Sequence, residues 1–228
     1  MWTIRRGAAA RPCGRSVKSP EHNLLFFTVL DAARLPGCMF CGLIHRGTSR
    51  HIESLLYEYI NDVPFRTKWR ASKGFCHRHS WMLAGQQDAL ALAILYRDLI
   101  RVHGENLLVG RAGEACSICE FECRSLGDYL SVVTRHFDDP ELLDAIQRSD
   151  GLCGPHLRFV FRRKTHEKLQ RVFSEVSASA LKHLAGDLEK LVDSFDYRHP
   201  PAEANRIRAA WSRAIEKIMG AYEVPEAP

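Results

Sequence analysis

Cys38-Met-Phe-Cys41 opens a stretch that closes with Gly74-Phe-Cys76-His77-Arg78-His79. Cys116-Ser-Ile-Cys119 opens a second that closes with Gly151-Leu-Cys153-Gly-Pro-His156. Both run C-x2-C and then G-[FL]-C-x2-H, with 34 or 33 residues between the second cysteine and the third. Residues three apart share one face of a helix, so each Cys-x2-Cys and each Cys-x2-His pair can aim at a single ion. A pair in the first turn of its helix also lies among free N–H groups and the positive end of the helix dipole. That setting lowers cysteine pKa values and favours the thiolate, the form that binds metal.

Cys38, Cys41, Cys76, His79, Cys116, Cys119, Cys153 and His156 are therefore the candidate metal ligands. Three thiolates and an imidazole make a closed tetrahedral set, which points to structural Zn²⁺, two ions per chain. A [4Fe–4S] cluster is the alternative cofactor. A catalytic zinc is disfavoured, because no coordination position is left for water. Spacing leaves open whether the ligands pair within the halves or between them. Cys123 and His45 occupy one register position, four residues after Cys119 and Cys41, and are taken as bystanders.

The rest of the chain predicts helices. Asn23 caps a first helix, which Pro36-Gly37 stops. Leu43, Ile52, Leu55, Leu56 and Tyr59 predict a helix over about 38–60, with Gly47 a local weak point. Asp62 before Pro64, and Asp139 before Pro140, each announce a short helix. Leu92, Leu95, Leu99 and Val102 predict a helix over 88–102. Gly110 to Glu114 is a connection, and Cys116 to about His136 is again helical. Leu169 through Phe195 recur at intervals of three and four; unbroken from Thr165, that helix would span ~45 Å. Ser177-Ala-Ser179 is its expected weak point. After His199-Pro200-Pro201, a C-terminal helix is expected over 203–220. No segment alternates with period two, so the fold class is all-α: a helical bundle built from two metal-binding helical repeats plus C-terminal helices. The expected organisation is a disordered basic tail at 1–21 and a single helical domain at 22–222, with an internal repeat over about 38–110 and 116–195.

Charge and cysteine usage narrow the function. The first 22 residues carry Arg5, Arg6, Arg11, Arg15 and Lys18 against Glu21, a net +4 of the chain's +5. The remaining 206 residues stand near +1, which argues against nucleic acid as a partner despite six basic residues between His156 and Arg171. No apolar run is long enough to span a membrane. Six of the eight cysteines sit in the repeated motif and no signal-peptide core precedes them, so a reducing, cytoplasmic location is expected. No catalytic residue is assigned. In register, Tyr57, Glu58, Arg66 and Arg70 stand opposite Thr134, Arg135, Leu143 and Gln147. That asymmetry makes Glu58, Arg66, Arg70, His77 and Trp81 the candidate lining of a pocket. His51, His103, His136, His166, His183 and His199 lack paired spacing and are expected at the surface.

Pro36-Gly-Cys-Met-Phe-Cys41, Leu55-Leu-Tyr-Glu-Tyr-Ile-Asn-Asp62, Ser72-Lys-Gly-Phe-Cys-His-Arg-His79 and Gly151-Leu-Cys-Gly-Pro-His156 resemble a family of uncharacterised bacterial and archaeal proteins, a domain of unknown function. The likeness covers about residues 22–222. It implies a prokaryotic cytosolic protein and supports metal binding, and it supplies no activity. The combined expectation is a metal-binding helical protein with two structural Cys3His zinc sites, acting on an unknown protein or small-molecule partner. An iron–sulfur redox protein or enzyme is the alternative.

Overall fold

A computed structural model describes residues 23–109, 115–163, 165–196, 198 and 205–221, and the described residues contain helices and no strand. The expected tail, the connection at 110–114 and His199 lie outside them. Helix α1 (Leu24–Arg34) starts where expected, with Asn23 Oδ1 accepting from the Phe26 N–H at 3.0 Å. Helix α2 (Met39–Ser54) continues in wider π turns over Leu55–Tyr59, where Tyr57, Glu58 and Tyr59 are exposed. Helix α3 (Val63–Ala71) is capped by Asp62, whose carboxylate accepts from the Phe65 N–H at 2.7 Å. Helices α4 (His77–Ala84), α5 (Ala89–His103) and the single turn α6 (Asn106–Val109) complete the first half.

The second half runs α7 (Ser117–Arg135), α8 (Pro140–Arg148) and α9 (Gly154–Arg162). Asp139 caps α8 as Asp62 caps α3, accepting from the Glu141 and Leu142 N–H groups. Helix α10 (Glu167–Asp193) runs for 27 residues, about 40 Å, without the expected break near Ser177. Ser177 is buried instead, and its hydroxyl accepts from the Leu152 N–H at 2.9 Å. A polar residue that would be a weak point in an isolated helix is here a packing contact. The C-terminal helix is in two pieces, α11 (Asn205–Arg208) and α12 (Ala210–Met219), with Gly220 after it at φ +91°.

Helices α2 and α7 pack on each other and run antiparallel. Along α2, Gly47 faces Tyr129, Thr48 bonds Glu122 and His51 stacks on Phe121, so the partner number falls as the α2 number rises. Gly47 does not break α2; it lets the Tyr129 hydroxyl approach, to 3.4 Å from where a Cβ would stand. The pair threads two apolar cores. One holds Phe26, Leu30, Phe40, Leu43, Val133, Leu142, Ile146, Val160 and Phe173, from α1, α2 and α7–α10. The other holds Ile52, Trp69, Leu83, Leu95, Leu99 and Ile118, from α2–α5 and α7. Trp69 is its largest member, and its indole N–H donates to the Leu95 carbonyl at 3.2 Å.

The histidines outside the motifs split. His166 and His183 are exposed, as expected. His136 is not: it is buried, with its ring 4.9 Å from that of Phe26. His51 is half-buried against Phe121, and His103 lies 2.8 Å from the Arg70 carbonyl. Lack of ligand spacing says nothing of burial, because an imidazole is apolar enough to pack once its nitrogens are met.

Candidate metal centres

Each of the four motifs starts a helix. Cys38, Cys76, Cys116 and Cys153 are the N-caps of α2, α4, α7 and α9, all with extended backbone. The fourth residue of each motif then falls in the first helical turn, so both side chains of a pair point past the helix start. None of these cysteines caps its helix through a side-chain hydrogen bond. Their sulfurs are turned toward one another across two helices.

The pairing crosses the halves. Cys38 and Cys41 meet Cys153 and His156, at the N-termini of α2 and α9 (site A). Cys76 and His79 meet Cys116 and Cys119, at the N-termini of α4 and α7 (site B). Within each set every ligand atom lies within 4.8 Å of the others, and each set can hold one metal ion. Because α2 and α7 are antiparallel and each starts at its own site, the sites sit at opposite ends of that pair. Residues 38–79 are therefore not one self-contained staple; each copy of the motif supplies half of each site.

The donor geometry fits one small ion. In site A, His156 Nδ1 stands 3.4, 3.4 and 3.1 Å from the sulfurs of Cys38, Cys41 and Cys153, and Cys41 and Cys153 are 3.7 Å apart. In site B, His79 Nδ1 stands 3.2, 3.5 and 3.4 Å from Cys76, Cys116 and Cys119, and Cys76 and Cys119 are 3.7 Å apart. A tetrahedral ion with ~2.3 Å metal–sulfur and ~2.05 Å metal–nitrogen bonds sets its ligands ~3.75 Å apart for two sulfurs and ~3.55 Å for sulfur and nitrogen.

Without an ion the groups must share protons. Hydrogen bonds from Cys153 and Cys41 hold the Cys38 thiol well below its usual range, despite burial. Bonds to Cys153 and Cys38 push Cys41 up. Burial opposes a charge on His156, but hydrogen bonds to Cys153 and Cys38 and their negative charge outweigh it and raise it to about 10. In site B, burial and the neighbouring Cys76 thiol push Cys119 up to about 12. An ion entering at neutral pH displaces these protons, since its ligands must be thiolates and neutral imidazoles.

The outer contacts of the sites differ. In site B, His79 Nε2 lies 3.2 Å from Glu122 Oε1. Glu122 also takes both Arg78 Nη1 and Nη2, at 3.1 and 3.0 Å, and the buried Thr48 hydroxyl at 3.0 Å. Burial alone would raise the Glu122 carboxyl; His79 and the Arg78 charge overcome it and lower it. One carboxylate thus ties α2, α4 and α7 together and fixes which nitrogen of His79 faces the sulfurs. Sequence reasoning missed Glu122: it follows Cys119 by three residues, but its partner is 43 residues away. We expect Glu122→Gln to weaken metal binding at site B by roughly 10–100-fold and leave site A unchanged, as read by competition with a chromophoric chelator.

Site A is braced by the backbone. Asp150 Oδ2 accepts from the Gly37 N–H at 2.7 Å, next to Cys38, and the Asp150 carbonyl accepts from Lys217 Nζ on α12. Gly154 has no room for a side chain, since a Cβ there would stand 2.7 Å from the Ile218 carbonyl oxygen. Helix α12 thereby closes over the start of α9, and a Cβ at Gly220 would stand 3.8 and 4.0 Å from the Cys153 and Cys41 sulfurs.

The candidate pocket residues of the first half fall into separate groups. Arg66 and Arg70 both bind Asp98 of α5, at 3.1 and 3.0 Å. The Trp81 indole N–H donates to His77 Nε2 at 3.2 Å on the exposed side of α4. Glu58 is exposed in the π turns, and among the described residues no hydrogen bond or ion pair joins it to the other four. A cavity of about 590 Å³ lies elsewhere, beside site A, between the α1–α2 turn, α2, α10 and α12. Cys38, Cys41, Cys153 and His45 line it, and His45, like Cys123, belongs to neither metal set. Cys123 is exposed and belongs to neither metal set.

Fold and site together define an all-α protein with two Cys3His sets, each able to hold a metal ion. The chain belongs to a family of unknown function, DUF6062, whose profile matches residues 97–225. That span is narrower than the resemblance in sequence and carries Cys116, Cys119, Cys153 and His156, half of each site. The chain is also 29% identical over 195 residues to an uncharacterised 23.9 kDa protein in the xynA 3′ region of Caldicellulosiruptor sp. (strain Rt8B.4), covering 80% of this chain and 95% of that one. No solved structure matches. No described helix is long and apolar enough to cross a membrane.

Proposed function

We propose that the chain is a cytoplasmic helical scaffold closed by two structural zinc ions, one in each Cys3His set, and that it acts by binding a protein or small molecule. The observation that carries the zinc assignment is that the four ligand atoms of each set lie within 4.8 Å of one another, with sulfur–nitrogen contacts as short as 3.1 Å and sulfur–sulfur contacts of 3.7 Å. A [4Fe–4S] cluster seats its protein ligands on four different irons, which sets the ligand atoms farther apart than those of one ion. Three thiolates with one imidazole also suit zinc among the common divalent metals. Four protein ligands complete the tetrahedron, which supports a structural rather than a catalytic ion. Each ion joins the start of one helix from the first half to the start of one from the second, so its binding energy is spent on holding the halves together.

Protein purified without oxygen is expected to be colourless and to contain two zinc ions per chain by elemental analysis. A brown protein with iron and acid-labile sulfide would overturn the assignment in favour of a redox role. A colourless protein with no bound metal would remove it altogether.

A further inference from the structure

We infer that the cavity beside site A is a binding site for a small organic acid with an apolar body, its carboxylate held by Arg46 and Arg50. This deepens the ligand-binding part of the proposed function and does not depend on which ion the sites take. The cavity, at about 590 Å³, has the size of a small-molecule pocket. One face of α2 lines its length: positions 38, 41, 42, 45, 46, 49 and 50 recur at helical spacing, while Phe40, Leu43 and Ile52 on the other side are buried in the cores. Leu35, Met39, Ala180 and Leu184 supply apolar wall from the α1–α2 turn, α2 and α10.

The charges in the wall are unequal. Among the described residues it contains four cations, Arg46, Arg50, Arg213 and Lys217, and two carboxylates, Asp150 and Glu216. Arg213 is engaged by Asp187 at 3.0 Å, and Lys217 by the Asp150 carbonyl. Asp150 is engaged by the Gly37 N–H. Among the described residues the Glu216 carboxylate on α12 has no partner. Among the described residues the Arg46 and Arg50 guanidiniums have no partner either, and the two residues lie one turn apart on α2. Two unengaged guanidiniums on a mainly apolar slot are a place for one carboxylate, which such a fork binds with charge-assisted bonds. Their Cα atoms lie roughly 12 and 18 Å along the helix axis from Cys38, and the Arg46 guanidinium turns back over Gly42, with Nη1 3.3 Å from where a Cβ there would stand. The apolar wall of Leu35, Met39, Ala180 and Leu184 takes the body of the acid.

Decanoate and decan-1-ol, titrated calorimetrically into the metal-loaded protein, test this. We expect one decanoate per chain, bound at least ~10-fold more tightly than the alcohol. Arg46→Ala/Arg50→Ala should abolish that preference by weakening the acid alone, with unchanged zinc content and unchanged Tm. Ala180→Trp, which fills the slot, should weaken both ligands; if that variant fails to fold, the arginine pair still decides. Equal binding of acid and alcohol, no decanoate binding, or a preference that survives loss of both arginines would overturn the inference. Zinc measured on the same samples separates the two readings: two zinc ions without decanoate binding overturn only the ligand site, and decanoate binding without metal overturns only the zinc assignment.

Discussion

Cys38→Ala should leave one zinc ion per chain, Cys38→Ala/Cys153→Ala should also leave one, and Cys38→Ala/Cys76→Ala should leave none. The second variant damages one set twice, because Cys38 and Cys153 belong to site A. The third damages both sets, because Cys76 belongs to site B. Pairing within halves demands the reverse order, with no zinc in the 38/153 variant and one in the 38/76 variant. Elemental analysis of the soluble proteins, with cobalt uptake followed by its visible spectrum, distinguishes the two. The effect on stability is expected to be the largest any single residue can produce. A structural zinc contributes on the order of 10 kcal/mol where it organises its ligands, comparable with the ~5–15 kcal/mol net stability of a whole domain. Here the helices also pack through two apolar cores, so loss of one ion is expected to loosen one end of the α2–α7 pair more than the other. Hydrogen exchange should then rise in α1, α8 and α9 for site A variants, and in α3–α5 for site B variants.

Gly151→Ala is the second large effect, and it needs no metal chemistry. Gly151 has φ +70°, and a Cβ there would stand 2.6 Å from the Ser177 hydroxyl oxygen and 2.8 Å from the Ser177 nitrogen and Cα. The obstruction is helix backbone, so it cannot swing aside. Left-handed backbone costs an alanine about 1–2 kcal/mol and overpacking adds roughly 1–3 kcal/mol. The expected fall in Tm is roughly 5–15 °C. Gly74 stands in the matching position of the other motif, at φ +90°, but a Cβ there meets first the Leu99 Cδ1 tip at 3.1 Å. A side-chain tip can yield, so Gly74→Ala should cost less. Gly151→Ala should also weaken metal binding at site A and spare site B, since Leu152, whose N–H donates to Ser177 Oγ, immediately precedes Cys153. Equal thermal losses for the two glycines would show that α10 does not press on the Gly151 loop.

Much of this was legible in the residues. Helical periodicity marked α5 and α7 within a residue or two of where they lie, and Asn23, Asp62 and Asp139 announced their helix starts, because a cap is a local hydrogen bond. The eight residues that gather in the two sets carry a three-residue step on a helix, which is local geometry. What escaped were contacts made across long separations. Glu122 reaches His79, Asp150 reaches Gly37 and Ser177 reaches Leu152, and none of these pairs carries a spacing that marks it. The buried His136 and the unbroken course of α10 through Ser177 escaped for the same reason, as packing overrode local preference.

The sequence by itself determined that the chain is helical and that it carries four two-ligand motifs, each able to start a helix and offer two donors to one ion. Only the tertiary structure decided which motifs meet. Antiparallel packing of α2 on α7 carries the start of each to opposite ends of the pair, and there the returning C-x2-H helix of the other half is the one within reach. Ligand identity is a property of one helical turn, whereas ligand pairing is a property of how two cores fold around a shared pair of helices.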